Sequence, residues 1–375
     1  SYTNRAVDEI CKSLASIAPA VDFIRVGSEL SCDEAYRGHL IENELSSCNR
    51  RSEVYERIRN CRIIVGTVAA ISGKPELFRL KHFDVAIIDE ATQILEPQLL
   101  GILCARGEDG KDAIDKFVLI GDHKQLPAVV QQNTEQSAIY DESLLSIGLT
   151  NLKDSLFERL YRNCTATVHR SYDMLCRQGR MHPEVALFAN RAFYGGRLIP
   201  VGLPHQIESS DTICRLAFYP SVPEKAGASA KINYSEARIV ADLAVRIYED
   251  HQTDFDESRT LGIITPYRSQ IALIKKEIES LGIPALNRIL VDTVERFQGS
   301  ERDVIIYSFC VNYPYQLKFL SNLTEEEGVL IDRKLNVALT RARKQMFITG
   351  VPELLERNPL YKSLLKLIES LRNIA

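Results

Sequence analysis

The 375-residue sequence lacks any apolar run long enough to cross a bilayer, and its N-terminus has no signal-peptide pattern. Its nine cysteines are scattered singly, without a CxxC pair or a Cys/His ligand spacing, which disfavours structural zinc and iron–sulfur clusters. We therefore expect reduced cysteines in an intracellular, cytoplasmic or nuclear protein that does not associate with a membrane.

An excess of basic charge is also lacking, since 46 Lys and Arg residues stand against 50 Asp and Glu residues and the formal net charge is −4. Bulk charge thus gives no support for binding nucleic acid, although a basic groove can exist within such a balance. The length and the 45% hydrophobic content predict two domains, each with a core of its own.

Short β-branched runs recur along the chain, and each ends in a polar cluster. They are RIIVGT (62–67), VAIIDEAT (85–92), FVLIGDHKQ (117–125), LGIITPYRSQ (261–270), RILVDTVERFQG (288–299), DVIIYSF (303–309) and QMFITG (345–350). Such runs, separated by helical stretches, predict α/β domains whose parallel strands are buried on both faces. The polar clusters then fall at the carboxyl ends of the strands, where open α/β sheets bind ligands.

Two series of strands predict two α/β domains, over residues 1–160 and 161–356, followed by an amphipathic helix over 357–375. A small helical insertion is expected at about 30–60 in the first domain. Residues 201–235 are rich in Pro, Ser and Gly and predict loops, with an irregular strand as an open alternative. The first four residues are typical of a strand end that passes into a helix.

Two carboxylates, Asp89 and Glu90, come directly after an apolar strand. An acidic residue at such a position can hold Mg²⁺ on the phosphates of a nucleotide, and a neighbouring Glu can polarise the attacking water. The pair can equally be a strand end capped by two solvated carboxylates, and taken alone it favours neither interpretation.

The next strand ends in Asp122, His123 and Gln125. A glutamine here can contact a γ-phosphate or orient water without changing charge. For His123, a surface or hydrogen-bonded loop histidine is the favoured interpretation.

In the second series, RFQGSERD (296–303) places Gln298, Gly299 and Glu301 at a turn before a strand, and Arg341 and Arg343 precede another strand. Arginines that reach a transferring phosphate are worth roughly 10³–10⁵ in rate. Taken alone, the arginine pair is better interpreted as surface arginines at a helix end.

The ordered motifs TNRAVDEI, VGT, IIDEATQ, LIGDHKQL, RMHP, GIITPYRSQ, FQGSERD and LNVALTRAR resemble those of the superfamily 1 helicases of the up-frameshift type, and they cover nearly the whole chain. The resemblance implies two RecA-like domains, built on parallel sheets flanked by helices, that clamp ATP and Mg²⁺ between them. It also implies 5′-to-3′ movement on single-stranded nucleic acid, and DNA and RNA both stay open because backbone contacts suit either.

For the nucleotide, the resemblance implies a catalytic set, which is Asp89, Glu90, Gln125, Arg180 and Arg341. It implies a further binding set, which is Asp122, Gly299, Glu301 and Arg343. In these sets Asp89 holds Mg²⁺ and Glu90 activates water, while Gln125 senses the γ-phosphate that Arg180 and Arg341 reach. Glu301 lies near the ribose, and Arg343 braces the loop.

For the single strand, the resemblance implies backbone-phosphate contacts from four residues, which are Thr3, Asn4, Thr67 and Thr293.

In TPYRSQ, Thr265 suits a helix N-cap and Pro266 suits the first helical position. The N–H groups at a helix start bind phosphates without reading bases, so Thr265, Tyr267 and Arg268 are candidates for the same strand. Packing of Tyr267 in the core is an equally good interpretation.

Two departures from the family stand out. Gly179 precedes the RMHP arginine where the family often has Tyr, so stacking on adenine from this position is lost. The phosphate loop G-x-x-x-x-G-K-[ST] is absent. The nearest imitation, GTVAAISGKP (66–75), has six residues between its glycines instead of four, and Pro75 replaces the Ser/Thr.

In the family the loop lies one helix and one strand before the stretch that resembles SYTNRAVDEI. We therefore expect a first domain truncated at its N-terminus, with exposed apolar surface where a strand is missing. We also expect weak or absent ATP hydrolysis, and a possible place for a nuclease or regulatory domain upstream.

A second hypothesis is a scaffold that holds nucleic acid or a protein and has lost its ATPase. It predicts decay of the catalytic residues, whereas all of them, and Glu301, are present.

Overall fold

The computed structural model describes residues 1–17, 21–166, 171–208, 213–224, 229–326 and 328–372. The chain divides into two compact units. Unit 1 comprises Ser1–His123 and Pro127–Asp173, and unit 2 comprises Lys124–Leu126 and Met174–Ala375. Within the described ranges, no helix has both the length and the apolar character that a membrane span requires.

Unit 1 alternates short strands with helices. Its helices are α1 (Asn4–Ile17), α2 (Ile41–Glu44), α3 (Arg51–Asn60), α4 (Val68–Ser72), α5 (Glu76–Leu80), α6 (Glu96–Leu103), α7 (Thr134–Ser137), α8 (Glu142–Ser146) and α9 (Leu156–Thr165). Its strands are β1 (Phe23–Val26), β2 (Ile63–Gly66), β3 (Phe83–Ile88) and β4 (Ile114–Leu119). With the 3₁₀ turns Glu29–Ser31 and Glu34–His39, α2 and α3 confirm the predicted helical insertion.

The strands of unit 1 pair in parallel, as predicted. In the first pair Phe23 of β1 lies opposite Ile63 of β2, and in the second pair Phe83 of β3 lies opposite Ile114 of β4. No strand is assigned at the first four residues, but Ser1 pairs with the end of β2 as a strand end would. Its backbone N donates to Gly66 O at 3.1 Å, Val68 N donates to Ser1 O at 3.0 Å, and α1 begins at Asn4.

One face of the β3–β4 pair carries exposed apolar side chains. Val85, Ile87, Val118 and Ile120 are between 42% and 65% exposed, whereas Ala86 and Ile88 on the opposite face of β3 belong to a core cluster. Apolar surface is therefore exposed in this unit, as expected, and its origin in a missing strand stays a prediction.

Unit 2 is larger than unit 1 and contains a five-stranded sheet. Its strands are β5 (Arg177–Gln178), β6 (Ile199–Pro200), β7 (Leu216–Pro220), β8 (Leu261–Ile264), β9 (Leu290–Asp292), β10 (Arg302–Ser308), β11 (Leu323–Glu326), β12 (Val329–Asp332) and β13 (Ala342–Gly350). Its helices are α10 (Pro183–Phe193), α11 (Pro204–Ile207), α12 (Tyr234–Asp250), α13 (Arg268–Ser280), α14 (Val294–Phe297), α15 (Leu317–Leu320), α16 (Arg333–Leu339), α17 (Pro352–Leu355) and α18 (Pro359–Arg372).

Five of these strands form a parallel sheet in the order β7-β13-β10-β8-β9. The central strand β10 is buried along its whole length. Ile305 and Tyr307 pack with residues of α10, α16 and α18, and Val304 and Ile306 pack with residues of α12 and α13. A parallel sheet flanked by helices is the α/β, RecA-like architecture that the sequence predicts.

The strand that the sequence leaves open for the stretch 201–235 is present, and it is regular instead of irregular. Residues of β7 pair in parallel with β13 from Leu216 opposite Met346 to Pro220 opposite Gly350. Because β7 is an edge strand, the Pro at its end removes no hydrogen bond from the interior of the sheet.

Candidate nucleotide and nucleic-acid sites

The acidic residues of unit 1 lie at the carboxyl end of β3. Asp89 follows the strand directly and is half-buried. Glu90 adopts a left-handed backbone conformation, with φ of 54° and ψ of 38°, which costs a non-glycine residue roughly 1 kcal/mol or more. Gln93 Nε2 donates to Glu90 Oε2 at 2.7 Å. Residues held in such conformations cluster at functional sites. Here the strained residue carries a carboxylate at the carboxyl end of β3.

The turn that carries Asp122 packs directly against this acidic turn. Ala91 N donates to Ile120 O at 2.8 Å, which joins the ends of the two strands. A Cβ atom at Gly121 would lie only 2.9 Å from Thr92 Cγ2, so only glycine fits without a shift. The structure thus brings the Asp122 turn together with that of Asp89 and Glu90.

The surroundings of Asp89 are compatible with a magnesium ion that is bound together with a nucleotide. Among the described residues, no group of three or more His, Cys, Asp or Glu side chains is placed to hold a metal. Mg²⁺ in nucleotide sites, however, needs only one or two carboxylates because phosphates and water complete its shell.

The strand-binding candidates of unit 1 lie at helix starts. Thr3 is exposed, and its Oγ1 accepts from Ala6 N at 3.2 Å in the first turn of α1. Asn4 is the first residue of α1 and is half-exposed. Thr67 is buried, and its Oγ1 caps α4 by accepting from Ala70 N at 3.1 Å. Both helices begin beside Ser1, which links them because Val68 N donates to Ser1 O at 3.0 Å.

In unit 2, Glu301 joins two of the predicted arginines. Arg180 Nε lies 2.6 Å from Glu301 Oε2, and Arg343 Nε lies 3.5 Å from Glu301 Oε1. Arg343 also forms an ion pair with Asp303, since Arg343 Nη1 lies 2.9 Å from Asp303 Oδ1. Three predicted site residues that are distant in sequence therefore form one charged cluster.

Arg341 is buried beside this cluster and is bonded through its whole guanidinium group. It donates to Val337 O at 3.0 Å, to Thr340 Oγ1 at 3.1 Å and to Ser300 O at 3.4 Å. It also donates to Gln125 Oε1 at 3.1 Å, which brings together two residues of the predicted catalytic set.

The turn before β10 depends on Gly299. This residue has a φ of 80°, in the left-handed region that glycine enters without strain. The turn carries Ser300, the carbonyl of which bonds Arg341, and the next residue is Glu301.

The predicted cap at Thr265 is wrong. α13 begins at Arg268, with Tyr267 in the N-cap position and no side-chain capping bond. Thr265 N instead donates to Asp292 O at 3.1 Å, which continues the pairing of β8 with β9 and delays the helix. Thr265 is fully buried, and its Oγ1 has no hydrogen-bond partner among the residues that the structure describes, so its side chain does not face solvent.

The other candidates near this helix differ in exposure. Arg268 is exposed, and Tyr267 is half-buried with its hydroxyl accepting from Gln316 Nε2 at 3.2 Å. Burial raises the pKa of Tyr267. Thr293 is half-buried at the N-cap position of α14, where its backbone N donates to Asp292 Oδ1 at 2.8 Å.

Sequence reasoning missed a residue that supports the arginine cluster. His205 contacts Arg180 O through Nε2 at 2.8 Å and Arg343 Nη2 through Nδ1 at 3.5 Å. It lies in a Pro-rich stretch without a recognisable motif, so no local signal indicated it. For Asp303 the signal was present, since it belongs to the stretch RFQGSERD.

Comparison with known proteins gives consistent matches. Two family profiles, each described as an AAA domain, match residues 36–133 and 152–353. The chain is 30% identical over 397 residues to the DNA replication ATP-dependent helicase/nuclease DNA2 of Xenopus laevis, covering 95% of this chain and 33% of that protein. For the DNA2 of Homo sapiens the identity is 29%, with 97% and 34% covered.

Other relatives agree with these. The chain is 30% identical to the probable helicase MAGATAMA 3 of Arabidopsis thaliana, covering 82% of this chain and 35% of that protein. It therefore spans about a third of the length of these relatives. A solved arterivirus nonstructural protein 10 helicase in complex with DNA shares 13% identity at a TM-score of 0.45, with 96% of this chain and 55% of that one covered. That likeness is too low to support an inference.

Proposed function

The chain belongs to a family of AAA-domain helicases, the up-frameshift type of superfamily 1. From this membership we propose that the chain forms part of an ATP-driven motor on single-stranded nucleic acid. The observation that most supports this proposal is that the catalytic candidates lie close together at the ends of strands. Asp89, Glu90 and Asp122 share one sheet edge in unit 1, and Arg180, Glu301 and Arg341 lie around the turn before β10 in unit 2.

In unit 1, Glu90 is the proposed base that polarises the attacking water. Its carboxylate is oriented by the Gln93 amide, and its strained backbone holds it at the edge of the sheet. Asp89 would hold Mg²⁺, which when bound neutralises phosphate charge.

In unit 2, Arg180 and Arg341 are proposed to stabilise the charge on the γ-phosphate. The Arg180 side chain is 35% exposed and pairs with Glu301, so a phosphate must replace that carboxylate as its partner. Arg341 is held by backbone carbonyls and Gln125, and this arrangement would couple its position to the residue that senses the γ-phosphate.

Further parts of the proposal rest on the family and on the cysteines. We infer 5′-to-3′ movement from the family branch. We infer a reducing compartment from the nine cysteines, all of which are free of disulfides. The DNA2 relatives are by name both helicase and nuclease, and a nuclease region in the same polypeptide is part of the proposal.

The strand-binding part is tested by the salt dependence of binding. We expect the chain to bind a fluorescent single-stranded oligonucleotide of about 20 nucleotides with little sequence preference, because the candidates contact the backbone. Log affinity should fall linearly with log salt, by about 0.7 per phosphate contacted. Replacing Arg268 with Ala should weaken binding to all sequences and reduce that slope by about 0.7.

Fluorescence anisotropy measures these quantities. The matched control is Arg246→Ala, which removes an exposed arginine near the C-terminal end of α12 and should leave the slope unchanged. Absence of binding by the wild-type chain at low salt would contradict the proposed function.

A further inference from the structure

Exposed aromatic side chains follow strand β10 in unit 2. The rings of Tyr313 and Tyr315 are nearly parallel, with centroids 5.7 Å apart and an interplanar angle of 13°. Tyr315 is 54% exposed and Phe319 is 70% exposed. These two lie four residues apart across the 3₁₀ turn Pro314–Gln316 and α15, a spacing that puts side chains on one helical face. We call Tyr313, Tyr315 and Phe319 the aromatic platform.

A buried glutamine fixes the backbone beneath the aromatic platform. Gln316 Oε1 accepts from the backbone N of Asn312 and of Tyr313, each at 2.9 Å. Its Nε2 donates to Ala230 O at 2.7 Å and to the Tyr267 hydroxyl at 3.2 Å. A buried amide with its bonds satisfied makes a rigid support, and it joins the platform to a strand-binding candidate.

Positively charged residues are adjacent in sequence to the residues of this support. Lys231 follows Ala230 in sequence, Arg268 follows Tyr267, and Lys318 lies within α15. All three are exposed, and within the described ranges none of them forms an ion pair. Exposed rings among unpaired cations complement a chain that alternates flat bases with phosphates.

We propose that the aromatic platform is a base-stacking subsite for single-stranded nucleic acid. The inference rests on the strand binding proposed above and extends it from the backbone to the bases. Stacking on one aromatic side chain changes affinity by about 5- to 150-fold and tolerates any base, because every base has a π-face. The unpaired cations favour nucleic acid over a protein partner as the occupant.

The test compares two oligonucleotides of the same length, one with bases and one abasic, so that only the bases differ. Tyr315→Ala should weaken binding of the first by about 5- to 150-fold and leave binding of the abasic one unchanged. Tyr315→Phe keeps the ring and should bind as the wild type does. The control is Tyr55→Ala, which removes a 47% exposed tyrosine on α3 of unit 1 and should change neither affinity.

Circular dichroism and thermal melting verify that each variant is folded. A 5-iodouracil oligonucleotide that crosslinks to Tyr315 or Phe319 would support the subsite. Equal binding by the wild type and Tyr315→Ala would overturn the subsite and leave the proposed function standing. An equal loss on both oligonucleotides would also overturn it.

Two further outcomes separate other causes. If the wild-type chain binds neither oligonucleotide, the proposed function fails and the subsite fails with it. If sedimentation velocity shows a self-associating chain that Phe319→Ala dissociates without a change in oligonucleotide affinity, the platform is a protein interface and the subsite is overturned.

Discussion

Replacing Asp8 with Ala is expected to destabilise the α1–β1 part of unit 1 by about 3–5 kcal/mol, because it leaves a buried guanidinium without its counter-charge. Arg25 of β1 is completely buried, and its Nη2 lies 2.8 Å from Asp8 Oδ1. The same Nη2 also donates to Ser31 O at 3.4 Å. Asp8 lies in α1, which begins at Asn4 directly after Thr3, so this ion pair anchors a candidate strand-binding surface.

Hydrogen exchange measured by mass spectrometry resolves this effect by region. Peptides of α1 and β1 should lose protection in Asp8→Ala, while peptides of β10 in unit 2 serve as the internal reference. The double variant Asp8→Ala with Arg25→Met should recover most of the loss, because removing both charges costs far less than removing one. A double variant as unprotected as the single one would contradict the electrostatic explanation.

Unit 2 is expected to lose stability as pH rises, because of a buried carboxylate. Glu236 of α12 is fully buried, and its Oε2 accepts from Ser308 Oγ at 2.7 Å and from Cys310 N at 2.8 Å. Burial raises the pKa of Glu236 from 4.5 to about 7, although these hydrogen bonds oppose the shift. The folded state therefore holds the proton more tightly than the unfolded chain.

The sign of the effect follows from this difference. The stabilisation is fully present below the unfolded pKa of 4.5 and is lost as the pH rises through about 7. From about pH 5 to about pH 8, the free energy of unfolding should fall by roughly 2–3 kcal/mol from this group alone. Glu236→Gln cannot ionise and should lack this component.

Urea unfolding, monitored by circular dichroism, measures the free energy of unfolding of the wild type and of Glu236→Gln at each pH, and hydrogen exchange assigns the change to unit 2. The free energy of unfolding of Glu236→Gln relative to the wild type should be larger at the higher pH. Glu279→Gln, at an exposed position on α13, is the matched control and should follow the wild type. Parallel pH profiles for the wild type and Glu236→Gln would show that the buried carboxylate does not control this dependence.

The strands of the parallel sheets could be predicted because their signal is local. DVIIYSF (303–309) contains four successive apolar or aromatic residues, 304–307, which supply both faces of a buried strand, and it corresponds to β10 (Arg302–Ser308). β7 could not be predicted as a regular strand because its short run ends in Pro220 within a stretch rich in loop-forming residues. The antiparallel pair of β11 and β12 escaped for another reason, since the acidic β11 has little apolar alternation.

The site was predictable in its residue types but not in its pairings. Motif order indicated Arg180, Glu301 and Arg343 as separate candidates, and their meeting at one carboxylate depends on tertiary contacts. Local rules failed at Thr265, where sheet pairing to Asp292 prevailed over a good capping sequence. The left-handed backbone of Glu90 also has no sequence signal, because non-glycine residues take it only where the surrounding structure enforces it.

The central claim is that this chain carries the catalytic side chains of an ATP-driven motor without the loop that holds the phosphates. Steady-state ATP hydrolysis by the 375-residue chain, with Mg²⁺ and saturating single strand, tests it most directly. Because no G-x-x-x-x-G-K-[ST] loop is present, we predict turnover no higher than that of Glu90→Gln, although the chain binds the strand. Robust Mg²⁺-dependent turnover that Glu90→Gln abolishes would contradict the account.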